Sequence, residues 1–280
     1  MKLNERLAQE RLQYWLHEHP RIVVISGAGC STEVGIPDYR DASGQWKRPQ
    51  PVTYQAFMGD ELVRKRYWAR SMLGWRVMGQ AQPGTAHKAL ALVEQGGWLE
   101  LLITQNVDGL HSAAGSRHVV DLHGRIDTVR CMACDHRLAR ADLQQQLLAL
   151  NPAWAQLYAA PAPDVDADLE GRDFSAFEVP ACPHCDSGVL KPDVVFYGES
   201  VPREWVQRCL DAMGRADALL IVGSSLMVYS GYRFALAAQE QGKSIAAINQ
   251  GVTRADALLE FKLEADVGQT LMALVKGLQQ

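Results

Sequence analysis

Short runs of apolar, mostly β-branched residues recur along the chain at 21–26, 99–104, 118–122, 218–222 and 244–248. Runs this short, without polar alternation, read as strands covered on both faces of a parallel sheet. Between them the apolar positions take on a helical period. Residues 2–18 set Leu3, Leu7, Leu12, Trp15 and Leu16 among charges, which leaves one face polar, and Pro20 stops that helix. Further helices are expected at 57–78, 86–95, 141–150, 205–213, 232–241 and 270–278. Strands alternating with helices predict an α/β chain: a doubly wound parallel sheet, Rossmann-like, with one ligand crevice outside the carboxyl ends of its strands. That sheet domain is assigned to 1–47, 84–128 and 188–280. A helical insertion takes up 48–83, and a second module takes up 129–187. Within the second module, Pro161 to Asp168 is acidic and proline-bearing, the composition of a mobile surface loop.

Candidate chemistry lies just after the strands. The first strand runs into Gly27, Ala28, Gly29, Cys30 and Ser31, and then into Gly35, Ile36, Pro37, Asp38, Tyr39 and Arg40. A strand, a small-residue turn and a helix start form the usual seat of a pyrophosphate, because the backbone can approach and the helix end offers N–H groups. The glycine spacing departs from the dinucleotide fingerprint, since the next glycine after Gly29 is Gly35. Taken alone, the turn either cradles a nucleotide or merely packs tightly. The second strand delivers Gln105, Asn106, Val107 and Asp108, the third His123 and Gly124, the fourth Gly223, Ser224 and Ser225, and the fifth Asn249, Gln250 and Gly251. All would open on the same crevice. His17 and His19 read as helix-end residues, where a cation is favoured.

Composition narrows the function classes. The chain has 280 residues, 48% of them apolar and 21% charged, which suits a globular enzyme with a sizeable core. A net charge of −4 argues against a broad basic surface for nucleic acid. No apolar run reaches the roughly 18 residues that a membrane span needs. The first 20 residues carry Glu5, Glu10 and Glu18 and lack the apolar block of a signal peptide, so a cytoplasmic chain is expected.

The cysteines add a metal site. Cys131 and Cys134 form one C-x2-C pair, Cys182 and Cys185 another, and residues 135–181 separate them. Two such pairs can close a tetrahedral four-sulfur zinc site, which leaves no open position for catalysis. Disulfides are disfavoured in a cytosolic chain. His136 and His184, beside the ligands, read as bystanders. Cys30 and Cys209 read as buried small residues.

These motifs, in this order, resemble the sirtuins. The resemblance rests on residues 27–40, on Thr104 to His111, on His123 and Gly124, on both cysteine pairs, on Gly223, Ser224 and Ser225, and on Asn249. It covers about residues 20–270. The stretches Lys191 to Glu199 and Val228 to Phe234, with the long insert, look like the class II branch, which has bacterial members.

The resemblance implies NAD-dependent removal of an acyl group from a protein lysine, with release of nicotinamide and formation of O-acyl-ADP-ribose. It assigns His123 as the base that activates a ribose hydroxyl, work suited to its intrinsic pKa of about 6.5. Asn106 and Asp108, with Ile36, would line the nicotinamide pocket. Gly27, Ala28, Gly29, Arg40, Gln105, Gly223, Ser224, Ser225 and Asn249 would hold the rest of NAD. Asp38, Tyr39, Val107, Gln250 and Gly251 join the cofactor set beside them, and Val267 would be a late adenine-side contact. Arg40 could instead be a solvated loop charge. The expected partners are acylated-lysine proteins, with no membrane and no nucleic acid, and the expected state is a monomer. A mono-ADP-ribosyltransferase using the same NAD site is the alternative reading; an NAD-sensing scaffold is a third. Tyr67 and Arg70 have the Tyr-x-x-Arg spacing that resembles the acyl-carboxylate clamp of desuccinylating sirtuins. The same run fits a buried aromatic beside a surface arginine, and that reading, with neutral acyl groups, is the expectation taken forward.

Overall fold

The computed structural model describes residues 3–47, 51–157, 169 and 171–278. The chain opens with helix α1 (Leu3–Glu18) and strand β1 (Ile22–Ser26), then passes through α2 (Tyr54–Gly59), α3 (Glu61–Met78) and α4 (Thr85–Gln95) to β2 (Leu99–Thr104). It continues through α5 (Leu110–Ala113), β3 (Val119–Asp121), β4 (Gly124–Cys131), β5 (Arg137–Ala139), α6 (Arg140–Leu150) and α7 (Pro152–Ala155). The last third holds β6 (Leu190–Val194), α8 (Arg203–Arg215), β7 (Ala218–Val222), α9 (Tyr229–Glu240), β8 (Ser244–Ile248), β9 (Phe261–Leu263) and α10 (Val267–Leu278).

Six strands form one parallel sheet in the order β3-β2-β1-β7-β8-β9. From β1 the chain winds outward to β2 and β3, and from β7 outward to β8 and β9. The direction of winding therefore reverses between β1 and β7, where an open α/β sheet leaves its ligand crevice. All five residues of β1 and of β7 are buried, as apolar runs in a covered parallel sheet require. Alternate residues serve the two faces. Ile22, Val24, Leu102 and Leu220 meet α1, α4 and α10, whereas Val23, Ile25, Leu101 and Ile221 meet α8 and α9.

A second core joins the helical insertion to the cysteine-bearing module. Phe57, Trp68 and Met72 pack with Val129, Leu143 and Leu190 around a small antiparallel sheet ordered β5-β4-β6. The Trp68 indole donates to the Leu190 carbonyl at 3.1 Å, which ties α3 to β6. Arg140 is fully buried between the rings of Trp68 and Trp75, and donates to Gln144 Oε1 at 2.9 Å and to the Ser71 carbonyl at 3.2 Å.

Three expectations change. The helix expected over 57–78 is two helices, because Asp60 leaves helical geometry and caps α3, its Oδ1 accepting from the Leu62 N–H at 2.7 Å. No α-helix follows the Gly27 turn; two 3₁₀ turns, Ala28–Cys30 and Thr32–Val34, take its place and end at Gly35, whose φ is +87°. Four strands were not foreseen, β4, β5, β6 and β9. Two of these have only three residues, and β4 and β6 carry charges that break the apolar run. The acidic stretch 161–168 lies outside the described residues.

Candidate active site and metal centre

Two cavities that share a wall open at the carboxyl ends of β1, β2, β7 and β8. The larger, about 560 Å³, is lined by Ile36, Val107, Asp108, Ile126, Phe196 and Glu199, among others. The smaller, about 410 Å³, is lined by Gly27, Gly29, Asp38, Arg40, Gly223, Ser224, Ser225, Asn249, Gln250 and Val267. Ala28, Tyr39, Gln105, Asn106 and His123 line both. The expected site residues thus come together from five strand ends, with two exceptions, Gly124 and Gly251. Gly251 lines neither cavity. Its φ is +80°, and a Cβ there would lie 2.4 Å from the Ala42 carbonyl oxygen, so this glycine serves a backbone crossing and not the crevice.

The glycine turn packs tightly against the turn after β7 and also lines the smaller cavity. Gly27 N–H donates to the Val222 carbonyl at 3.1 Å and Gly29 N–H to the Gly223 carbonyl at 2.9 Å. A Cβ on Gly29 would stand 2.9 Å from Gly223 Cα, and one on Gly27 would stand 2.7 Å from Ser224 Cβ. The two turns pack backbone to backbone and still face the smaller cavity. Because Cys30 and Ser31 N–H groups bond back to Gly27 and Ala28, the helix N-terminus expected there is absent. Arg40 is held at the cavity wall, donating to the Gly44 carbonyl at 2.7 Å with its guanidinium 4.0 Å from the Trp46 ring centroid. It is not a loose loop charge.

Asp108 and Asn106 are fixed by Ser31, to which the sequence assigned no separate role. Ser31 donates to Asp108 Oδ2 at 2.7 Å and accepts from Asn106 Nδ2 at 3.0 Å; Asp108 Oδ1 accepts from Leu110 N–H at 2.9 Å. Behind Ser31 are two buried histidines with ring centroids 4.7 Å apart. The Gly84 N–H donates to His87 Nδ1, which leaves the ring proton on Nε2, directed at Ser31 Oγ at 3.3 Å. His111 Nε2 pairs with Ser26 Oγ at 2.9 Å. Burial pushes His111 down to about 3, helped by its neighbour His87, and burial also lowers His87 against the pull of Asp108 and Glu33.

His123 is half-buried where the two cavities meet. A carbonyl can only accept, so the 2.9 Å contact from Nδ1 to the Gln105 carbonyl places the proton on Nδ1. Nε2 then carries the lone pair and accepts from the Ser230 hydroxyl at 2.8 Å. Burial lowers the pKa of His123, while the Gln105 carbonyl pulls it upward. The ring is therefore neutral, with one tautomer and a basic nitrogen facing the crevice. Ser230 went unrecognised because nothing in its helical surroundings points to chemistry.

The stretch 191–199 is organised around a buried ion pair. Lys191 is 3% exposed, and its ammonium pairs with Glu199 Oε2 at 3.0 Å, the same oxygen that accepts from Phe196 N–H at 3.0 Å. A buried ion pair thus props up the wall that bears Phe196 and Glu199. Tyr67 also lines the larger cavity, its ring packed on Phe57 and Phe196. Arg70 is not among the residues lining either cavity.

Away from the crevice, the sulfurs of Cys131, Cys134, Cys182 and Cys185 lie within 4.8 Å of one another. Two sulfur pairs stand at 3.7 Å, close to the edge of about 3.8 Å for a tetrahedron of Zn–S bonds. Gly188 makes room for them, since a Cβ there would lie 2.1 Å from Cys131 Sγ. The donor set fits one structural zinc ion. His136 and His184 stack on each other at 5.3 Å beside it. Cys30 and Cys209 are buried, and burial pushes each thiol up to about 12.

Sheet order, glycine turns and a neutral histidine at the strand ends define a nucleotide-binding α/β enzyme with an inserted metal module. Residues 27–230 match the model of the Sir2 family. The chain is 59% identical over 263 residues to the NAD-dependent protein deacetylase of Xanthomonas campestris pv. campestris (strain 8004), covering 94% of this chain and 89% of that one. It is 58% identical over 266 residues to the NAD-dependent protein deacetylase of Bordetella bronchiseptica, covering 95% and 97%. A solved Sir2 homolog–NAD complex superposes with a TM-score of 0.73 at 31% identity, over 96% of this chain and 93% of that one. This chain belongs to the Sir2 family, the sirtuins.

Two outcomes are expected. His111 and its neighbours take up protons more readily unfolded than folded, so their stabilising contribution is complete above pH 6.5 and is lost as pH falls towards 3. From pH 6.5 to 5.5 the wild type should lose about 1 kcal/mol more than His111→Gln in denaturant unfolding. Metal analysis should find one zinc per chain, and Gly188→Ala should lower both zinc retention and Tm. A zinc-free, fully stable preparation would contradict the metal assignment.

Proposed function

We propose that the chain is an NAD-dependent protein-lysine deacylase, transferring an acyl group from lysine to the ADP-ribose part of NAD with release of nicotinamide. The observation that carries this reading is the unprotonated Nε2 of His123, held by the Ser230 hydroxyl at the meeting point of the two cavities. When bound, NAD would supply a ribose carbon that becomes electrophilic as nicotinamide leaves. Asn106 and Asp108, locked by Ser31, would orient the nicotinamide end in the larger cavity. Gly29, Arg40, Gly223 and Ser224 would take the phosphates and distal ribose in the smaller one. The acyl-lysine would enter beside Phe196 and Tyr197, whose rings exclude water and strengthen charge stabilisation within. His123 Nε2 would then accept the proton of a ribose hydroxyl, exchanging its Ser230 partner for the substrate.

The lining supports neutral acyl groups, because Tyr67 faces the larger cavity without Arg70 beside it in the lining. We assign NAD binding to residues 1–47, 84–128 and 188–280, with 48–83 and the zinc module 129–187 as insertions. The zinc ion would hold that module together and take no part in the reaction. Four zinc-bound thiolates suit a reducing compartment, which supports a cytoplasmic enzyme acting on acylated proteins. No step above requires a residue from a second copy, so a monomer suffices.

His123→Ala should still bind NAD, measured calorimetrically, but should lose about 10²-fold or more in deacetylation of an acetyl-lysine peptide. Nicotinamide exchange into NAD should survive, since the base acts after nicotinamide has left. An unimpaired variant would remove His123 from its assigned role.

A further inference from the structure

The larger cavity carries two guanidiniums that the reaction described above does not use. Its lining holds two carboxylates, and both are engaged. Asp108 is bonded to Ser31 and Leu110 N–H, and Glu199 is paired with the buried Lys191. The lining also holds two guanidiniums, Arg203 at the start of α8 and Arg233 on α9. Neither has an ion pair among the described residues, and the Nε of Arg233 is buried without a hydrogen-bond partner. Arg233 and a third arginine both lie near Tyr229, which is 55% exposed and also lines the cavity. Arg233 lies 5.2 Å and Arg254 6.0 Å from its ring centroid, and Arg254 stacks more closely on Tyr232 at 4.4 Å. Arg203 and Arg254 are exposed.

Leaving a guanidinium Nε buried and unpaired costs free energy, and a carboxylate brought to it would recover that cost through a charge-assisted hydrogen bond. An exposed tyrosine flanked by two cations is a platform that a peptide backbone can cover while acidic side chains reach either side. The exposure of Tyr229, Arg203 and Arg254 places the charge outside the acyl cavity, at the entrance where flanking substrate residues must lie. We propose that this entrance is a docking surface for an acidic stretch of the substrate protein, with carboxylates next to the acylated lysine meeting Arg233, beside Tyr229, and Arg203, on the same cavity lining. The proposal rests on the deacylase reading and specifies which lysines that site selects.

The test uses acetyl-lysine peptides of one length whose flanking residues are all acidic, all neutral or all basic, plus a succinyl-lysine peptide with neutral flanks. The full-length enzyme should favour the acidic over the neutral peptide by about fivefold in kcat/KM, expressed in KM, and should disfavour the basic one similarly. The spread should shrink as KCl rises to about 0.5 M, because the contacts are partly solvated. Arg233→Glu should reverse the order, and the exposed Arg203→Glu should weaken it, which covers the case of a poorly folded Arg233 variant. Equal rates on the three acetyl peptides, or an unchanged order in both variants, would overturn the proposal. So would a charge preference confined to the succinyl group, which would place the anion at the acyl end. If no peptide is turned over, the deacylase reading fails. The docking surface is then judged on the Kd order of the same peptides, fluorescently labelled, where equal affinities reject it.

Discussion

The crevice depends on one close contact, the crossing of two small-residue turns at the ends of β1 and β7. Gly29 N–H bonds to the Gly223 carbonyl at 2.9 Å, and there is no volume at either glycine for a methyl group. Parallel neighbours β1 and β7 run in register from Ile22 opposite Ala218 to Ser26 opposite Val222, so their turns must emerge side by side. Only glycine lets both chains leave in opposite directions without separating the strands. That separation sets where Gln105 and Asn106 stand, because Asn106 Nδ2 reaches back to the Gly27 carbonyl at 3.1 Å and Gln105 Nε2 to Ser224 Oγ at 2.6 Å. Through the Gln105 carbonyl the same contact fixes the tautomer of His123. A larger side chain in the turn would be felt at the imidazole.

The electrostatics follow from burial. His87, His111 and His123 all have lowered pKa values for the same first reason, loss of water around the charged form. Neutral imidazoles can accept and donate at once; here two lie buried behind Ser31 and one lines the junction of the two cavities. The carboxylate Asp108 is the charged member of this group. It is satisfied by a hydroxyl and a backbone N–H, which suits a pocket that must hold a dipolar amide without being neutralised by it. Arg203 and Arg254 are exposed and lie outside this buried group.

Much of this was legible in the chain itself. The runs 99–104, 218–222 and 244–248 coincide with β2, β7 and β8, because an apolar run buried on both faces has no other stable use. The four cysteines were legible because thiol pairs at this spacing have few alternatives. The reading failed where neighbours in space decide. Asp60 breaks a pattern that is helical on both sides, and only its cap geometry shows it. Nothing in the sequence marks Lys191 as buried, because its partner Glu199 is brought to it by a turn. Ser31 and Ser230 are unremarkable in sequence, and their roles come from Asp108 and His123, residues 77 and 107 positions away. Gly251 resembled a cofactor contact, but it is a glycine because Ala42 crosses it.

The central claim is that an acyl group passes from lysine to ADP-ribose at His123. The most direct measurement is mass spectrometry of all products after incubating the protein with NAD and an acetyl-lysine peptide. The account predicts nicotinamide, deacetylated peptide and O-acetyl-ADP-ribose in equal amounts. ADP-ribose attached to peptide or protein, with the acetyl group still on its lysine, would contradict it and favour a mono-ADP-ribosyltransferase.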